Sequence, residues 1–214
     1  GLCYVPREDL SHGMELRSSP RGVKAVEAAR LSSSLNLFER IVGIAALNAI
    51  SQYLMDLEGY ERQFGLDIVD ALELSSRDRV AVVGYMKPVV EKLRPKVQEI
   101  QVLERNPQLR GEELPDTLAE LVLPKADVVI LSGSCLVNAT IDRLLELSKG
   151  ARFIALVGPT AGGLPEPFFE RGVNLVASVR ARGRGVLDAV SEARTFKGFS
   201  SLVEKYVMRS RKCR

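Results

Sequence analysis

From Arg77 onward the chain alternates between short runs of β-branched residues and stretches with helical periodicity. Residues 79–84, 99–104, 127–132, 153–158 and 173–177 each read as a strand. Most are apolar at nearly every position, as parallel strands buried on both faces are. Between them, Pro88 with Val89, Val90 and Leu93 predicts a short helix stopped by Pro95. Ile141, Leu144 and Leu145 give the next helix its inner face, and Gly150 ends it. Val186, Leu187 and Val190 predict another, and Leu202, Val203, Tyr206 and Val207 repeat at a spacing that predicts a terminal helix. Strands alternating with helices imply parallel pairing through right-handed crossovers, hence an α/β, Rossmann-like sheet. In such sheets ligands bind beyond the carboxyl ends of the strands. Three strands here end in glycine or a small polar residue, at Gly84, Ser132-Gly133 and Gly158.

Residues 1–74 read differently, as a smaller and mainly helical domain ahead of a Rossmann-like domain at 75–214. Gly1 to Val5 has the look of a strand already under way. Pro20 can begin a short helix through Val23, Val26 and Leu31, before the break at Ser32-Ser33-Ser34. Asn36 is a good N-cap, with Glu39 three residues later able to reach back to the free amides. The helix that follows carries Phe38, Ile41, Val42, Ala45 and Ala49, with Ile44, Leu47, Ile50 and Leu54 widening the apolar stripe, so it is expected to be buried on most sides. Asn48 interrupts that stripe, with Gln52 one turn on. Both belong on the remaining solvent face, or Asn48 points into a cleft between the two domains.

Composition narrows the classes of function. The 214 residues are 46% hydrophobic and 27% charged, which suits a folded domain. Lys+Arg 30 against Asp+Glu 27 leaves a net charge of only +3, no broad electrostatic case for nucleic acid. The basic tail Arg209 to Arg214 reads as a solvated, frayed terminus. No apolar run reaches the length of a membrane span. Cys3, Cys135 and Cys213 are odd in number and widely spaced, so a disulfide framework is not expected and a reducing cytoplasm is the simplest compartment. With one histidine, His12, and no Cys-x-x-Cys pair, the sequence offers no tetrahedral zinc site. A bound metal would need carboxylates such as Glu104, or ligands brought by a small chelator. His12 lies far from Cys135, which therefore reads as a small structural cysteine, and no catalytic residue or cofactor is assigned.

The strand-end loops hold the candidate chemistry. Gly84-Tyr85-Met86-Lys87-Pro88 lacks the Gly-x-Gly-x-x-Gly pattern that lets backbone approach a pyrophosphate, which argues against ordinary dinucleotide binding. Glu104 nevertheless ends the second strand at the place where an acidic residue commonly bonds ribose hydroxyls. Its other reading is an ion pair with Arg105 or Lys87, and the two stay open. In the loop Ser132-Gly133-Ser134-Cys135 through Asn138-Ala139-Thr140, free amides at a helix start favour a carboxylate or phosphate, with Ser134, Asn138 and Thr140 adding side-chain bonds or merely capping. Gly158-Pro159-Thr160-Ala161-Gly162-Gly163 either cradles an anion or forms a long turn.

At these residues the chain resembles the heavy-metal chelation domain family, a group of domains of unknown function for which chelation is itself a proposal. The matching segments are Val83-Gly84-Tyr85, Glu104-Arg105-Asn106-Pro107, Leu123-Pro124-Lys125-Ala126-Asp127, Ser132-Gly133-Ser134 through Asn138-Ala139-Thr140, and Gly158-Pro159-Thr160. Gly43-Ile44-Ala45-Ala46-Leu47-Asn48-Ala49 matches the family's N-terminal part. The resemblance implies an N-terminal domain like that of enolase, inside which Gly1 falls, joined to the Rossmann-like domain. It implies a site in the cleft between them, with Asn48, Glu104, Asn106, Ser134, Asn138 and Thr160 nearby; the strand-end residues Gly84, Tyr85, Gly133 and Gly158 join them as candidate ligand-binding residues. Three readings of function follow. The first is a small-molecule-binding protein or enzyme that handles a carboxylate-rich metal chelator or its precursor. The second is an enzyme using a nucleotide-like cofactor such as S-adenosylmethionine. The third is a non-catalytic interaction module, with the apolar helix partly at a homodimer interface.

Overall fold

A computed structural model describes residues 1–10, 16, 19–192 and 195–211. His12, Cys213 and the end of the basic tail lie outside the described residues. The first helix, α1 (Ala25–Arg30), starts later than Pro20, after a turn at Arg21-Gly22, and α2 (Leu37–Leu57) follows. Asn36 caps α2 as expected, its side chain accepting from the amides of Phe38 and Glu39. Glu39 accepts from Ser34 Oγ at 2.6 Å. Residues 1–6 do not form a strand: the Tyr4 amide goes to the Thr160 hydroxyl at 2.8 Å rather than to a ladder.

The remaining elements run β1 (Gln63–Phe64), α3 (Ile68–Ala71), β2 (Arg79–Val83), α4 (Lys87–Leu93), β3 (Glu99–Glu104), β4 (Leu114–Pro115), α5 (Ala119–Val122), β5 (Val128–Ser132), α6 (Ser134–Val137), α7 (Ile141–Leu147), β6 (Phe153–Val157), α8 (Glu166–Glu170), β7 (Leu175–Ala181), α9 (Gly185–Ser191), α10 (Phe196–Phe199) and β8 (Val203–Arg209). They build one sheet in the order β1-β8-β7-β6-β5-β2-β3-β4. The pairs from β4 through β7 are all parallel, while β8 is antiparallel to β7 and β1.

Burial on both faces explains the unbroken apolar runs. Val80 and Val82 of β2, Val128 and Ile130 of β5, and Phe153 and Ala155 of β6 enter one core with α3 and α4. The alternate residues Ala81, Val129, Leu131, Ile154 and Leu156 enter the opposite core with α5 and α7. This period of two is the pleat, with no polar face left over.

The segment expected as a terminal helix is strand β8, paired with β7 from Val203↔Ala181 to Arg209↔Leu175. Its apolar residues divide between the faces: Val207 joins the first core, while Tyr206 and Met208 pack with Met55. A strand apolar on both faces can show apolar residues four apart, which is how it imitates a helix. α2 also departs from expectation. It buries Ile41, Gly43, Ile44, Asn48, Ser51 and Met55, but Leu47, Tyr53 and Leu57 stay exposed. Its buried side packs with Val137 of α6, so it lies behind the carboxyl ends of the strands. No described helix is long and apolar enough to cross a membrane.

Candidate functional site

Chain order places β3 and β4 on one side of β2, whereas β5, β6 and β7 lie on the other. The direction of winding therefore reverses between β2 and β5. At that reversal the loops leaving the two strands diverge in opposite directions and open a crevice. Here the crevice is a pocket of about 400 Å³. Gly84, Tyr85, Glu104, Gly133, Ser134, Asn138, Gly158 and Thr160 all line it. The strand-end reading thus brings together residues from four separate loops.

Close packing at the reversal point needs glycine. Gly84 has φ +89°, and a Cβ there would lie 2.7 Å from Ser132 Cβ. A Cβ on Gly133 would lie 2.9 Å from the Ala161 nitrogen and 3.1 Å from Thr160 Cβ. Gly158, at φ +124°, sends the chain into a short 3-10 turn, Pro159–Ala161, that buries Thr160. The fourth loop is accordingly a packed wall and not a loose turn.

Glu104 is 8% exposed, and backbone amides hold both its oxygens. Tyr85 N donates to Oε2 at 2.7 Å, and Asn106 N donates to Oε1 at 2.8 Å. The carboxylate therefore ties the loop after β2 to the loop after β3. Of the two readings left open for Glu104, the ion pair is not seen among the described residues, where Arg105 pairs with Asp9 and Lys87 with Glu91. Asn106 does not line the pocket; its side chain caps the turn Pro107–Leu109 by accepting from Gln108 N.

In the third loop Ser134 Oγ donates to Ser132 Oγ at 3.0 Å. Asn138 Oδ1 accepts from both the amide and the hydroxyl of Thr140, at 3.2 and 2.7 Å. Ala139, between them, takes φ 59°, a left-handed conformation that costs a non-glycine residue about 1 kcal/mol. Local capping thus uses Asn138 Oδ1 and leaves the Nδ2 donors without a partner among the described residues.

Asn48 is on neither the solvent face nor the pocket lining. It is 3% exposed, and its Nδ2 donates to Leu2 O at 2.8 Å and to Thr160 O at 2.9 Å. It ties α2, the first residues and the fourth loop together behind the pocket wall. Gln52, one turn on, donates to Gly162 O and Tyr206 OH in the same way. Asn48→Leu leaves two inward-facing carbonyls without donors, at a cost of about 2 kcal/mol. The expected result is a melting temperature lower by roughly 4–8 °C; an unchanged midpoint would remove Asn48 from this role.

Several lining residues escaped the sequence reading: Tyr4, Glu8 and Asp9 from the first ten residues, Asp116 and Glu120 beyond β4, and Arg143 on α7. The adjacent acids Glu8-Asp9 were the available signal, but nothing in their spacing ties them to the strand ends. Burial, and after it the charges of Glu8 and Glu104, push the Tyr4 phenol up to about 12. Burial also pushes the thiols of Cys3 and Cys135 up to about 12, so neither is a ready nucleophile.

Comparison with known proteins agrees with this architecture. A family model described as "Putative heavy-metal chelation", DUF364, matches residues 67–209. The chain belongs to the DUF364 family. A second model with the same description, DUF4213, matches residues 1–51. An uncharacterized protein of Methanocaldococcus jannaschii is 36% identical over 192 residues, covering 85% of this chain and 70% of that one. The crystal structure of a DUF364 protein of unknown function from Pyrococcus horikoshii is similar with a TM-score of 0.77 at 36% identity, covering 91% of this chain and 80% of the other. A DUF364 protein of unknown function from Desulfitobacterium hafniense DCB-2 gives 0.75 at 28% identity, covering 86% and 73%.

The family description raises the question of direct metal binding. Among the described residues no three His, Cys, Asp or Glu side chains lie close enough together to hold a metal ion. Among the described residues, therefore, this DUF364 chain shows no donor cluster for a directly bound heavy-metal ion.

Proposed function

We propose that the strand-end pocket is a small-molecule site that takes a metal chelate or the precursor of one. The observation that carries this reading is the convergence of four polar strand-end loops on one pocket at the winding reversal. The family description supports the link to chelation, and the lack of a metal-ligand cluster among the described residues favours metal arriving inside a small molecule. We also read residues 1–74 and 75–214 as two units, the first of the enolase N-terminal type, with its β1 and α3 packed into the sheet and core of the second. The separate family matches to 1–51 and 67–209 support a division of this kind. Tyr4, Glu8 and Asp9 then make the cleft's outer wall.

Calorimetric titration of the protein with a series of chelators and their metal complexes tests the reading. Saturable heat is expected for at least one complex, and Ser134→Phe, which projects a ring into the pocket, should weaken it more than tenfold. Heat no greater than the buffer controls across the whole series would overturn the assignment.

A further inference from the structure

Resting on the reading of the pocket as a ligand site, we infer that its ligand is a small cation, an amine-based metal complex or an amine-rich molecule, and not a polycarboxylate or phosphate ester. Five carboxylates line the pocket, those of Glu8, Asp9, Glu104, Asp116 and Glu120, against the two guanidinium groups of Arg105 and Arg143, an excess of three negative charges. The whole chain carries +3, so the cleft opposes the sign of the protein around it.

Neither guanidinium is at the disposal of an anion. Arg105 pairs with Asp9 at 3.2 Å, and Arg143 is held between Glu120 at 2.6 Å and Glu146 at 2.7 Å. Glu8, Glu104 and Asp116 have no cationic partner among the described residues. Tyr4, whose phenol is raised first by burial and then by Glu8 and Glu104, registers the same negative field. A polycarboxylate entering here would meet three uncompensated like charges, whereas a cation would be drawn in by them. The third loop does not reverse this balance, because α6 is a single turn and the Ser134 amide already faces Ser132 Oγ at 3.3 Å. The anion-cradle reading of the third and fourth loops gives way to a site that selects by negative charge and hydroxyl-rich walls.

Two metal complexes of opposite sign provide the test. Nickel(II)–triethylenetetramine is a dication and nickel(II)–EDTA a dianion, and each is titrated calorimetrically into the full chain. The dication is expected to bind at least about tenfold more tightly, and to weaken as salt rises from about 50 to about 500 mM. The double variant Glu8→Gln, Asp116→Asn is expected to lose about tenfold of that preference with little change in melting temperature. Metal-free triethylenetetramine separates the two sources of the cation: equal binding assigns recognition to the amine, and weaker binding to the assembled complex. Equal or tighter binding of the dianion would overturn the inference while leaving the pocket a ligand site. Binding of neither complex, in a protein that also ignores the wider chelator series, would sink the underlying reading with it.

Discussion

Gly43→Ala is expected to destabilise the protein by about 3 kcal/mol and to lower its melting temperature by roughly 6–12 °C. In an open helix the same change would be favourable, because alanine exceeds glycine in helix propensity by about 1 kcal/mol. Position 43 is not open. A Cβ there would lie 1.9 Å from the Ser32 nitrogen, 2.3 Å from the Leu31 carbonyl carbon and 2.6 Å from Ser32 Cα. Those atoms are backbone, in the turn that joins α1 to α2, and no rotamer change moves them away. The two helices must separate, or the turn must be remade. Separation would disturb the seating of α2 against α6 and the Asn48 contacts behind the pocket, so clash outweighs propensity. A melting curve that moves upward would show that the α1 turn is readily displaced and that its contact with α2 contributes little.

That contact also marks how far the sequence could be read. Gly43 stands within the stretch that resembles the family, but nothing in its neighbours reveals that Ser32 lies against it. The parallel strands were legible because burial on two faces leaves a plain record, a run such as Val80-Ala81-Val82-Val83 closed by Gly84. Asn36 was legible because capping is local: its partners, Phe38 and Glu39, are two and three residues away. β8 was misread because Val203, Tyr206 and Val207 show helical spacing as well as strand propensity, and only pairing with β7 decides between them. β1 and β4, of two residues each, are too short to show any period.

The site divides in the same way. Gly84, Glu104, Ser134 and Thr160 could be placed together because parallel topology brings all strand ends to one edge. Tyr4, Glu8 and Asp9 could not, because the segment that carries them has only a short 3-10 turn and is held by contacts distant in sequence, the Tyr4 amide on Thr160, Asn48 on Leu2 O and Arg105 on Asp9. Asn106 and Asn48 were read as ligand-facing, yet their polar atoms serve a cap and a tertiary anchor. An amide side chain near a strand end has backbone donors and acceptors within reach, and those contacts leave no mark in the sequence.

Glu104→Ala is expected to lower the melting temperature by roughly 6–12 °C, with Glu104→Gln intermediate. The alanine variant leaves the amides of Tyr85 and Asn106 without acceptors in an enclosed corner, and an unmet buried donor costs about 1–3 kcal/mol. Glutamine keeps one acceptor oxygen but turns an NH₂ group toward the other amide, so it recovers only part of the loss. The order wild type, Gln, Ala is the signature of a brace between two loops. A carboxylate acting only on a ligand would leave all three equally stable without ligand and would separate them only when ligand is present. Thermal shift with S-adenosylmethionine and NAD makes that distinction. If Glu104 holds a ribose, the cofactor should raise the wild-type midpoint and not that of Glu104→Gln. Equal midpoints for the three proteins without ligand would refute the brace. The brace does not exclude recognition, since each carboxylate oxygen keeps a second lone pair, and the same negative charge then serves to tie the loops together and to draw a cation between them.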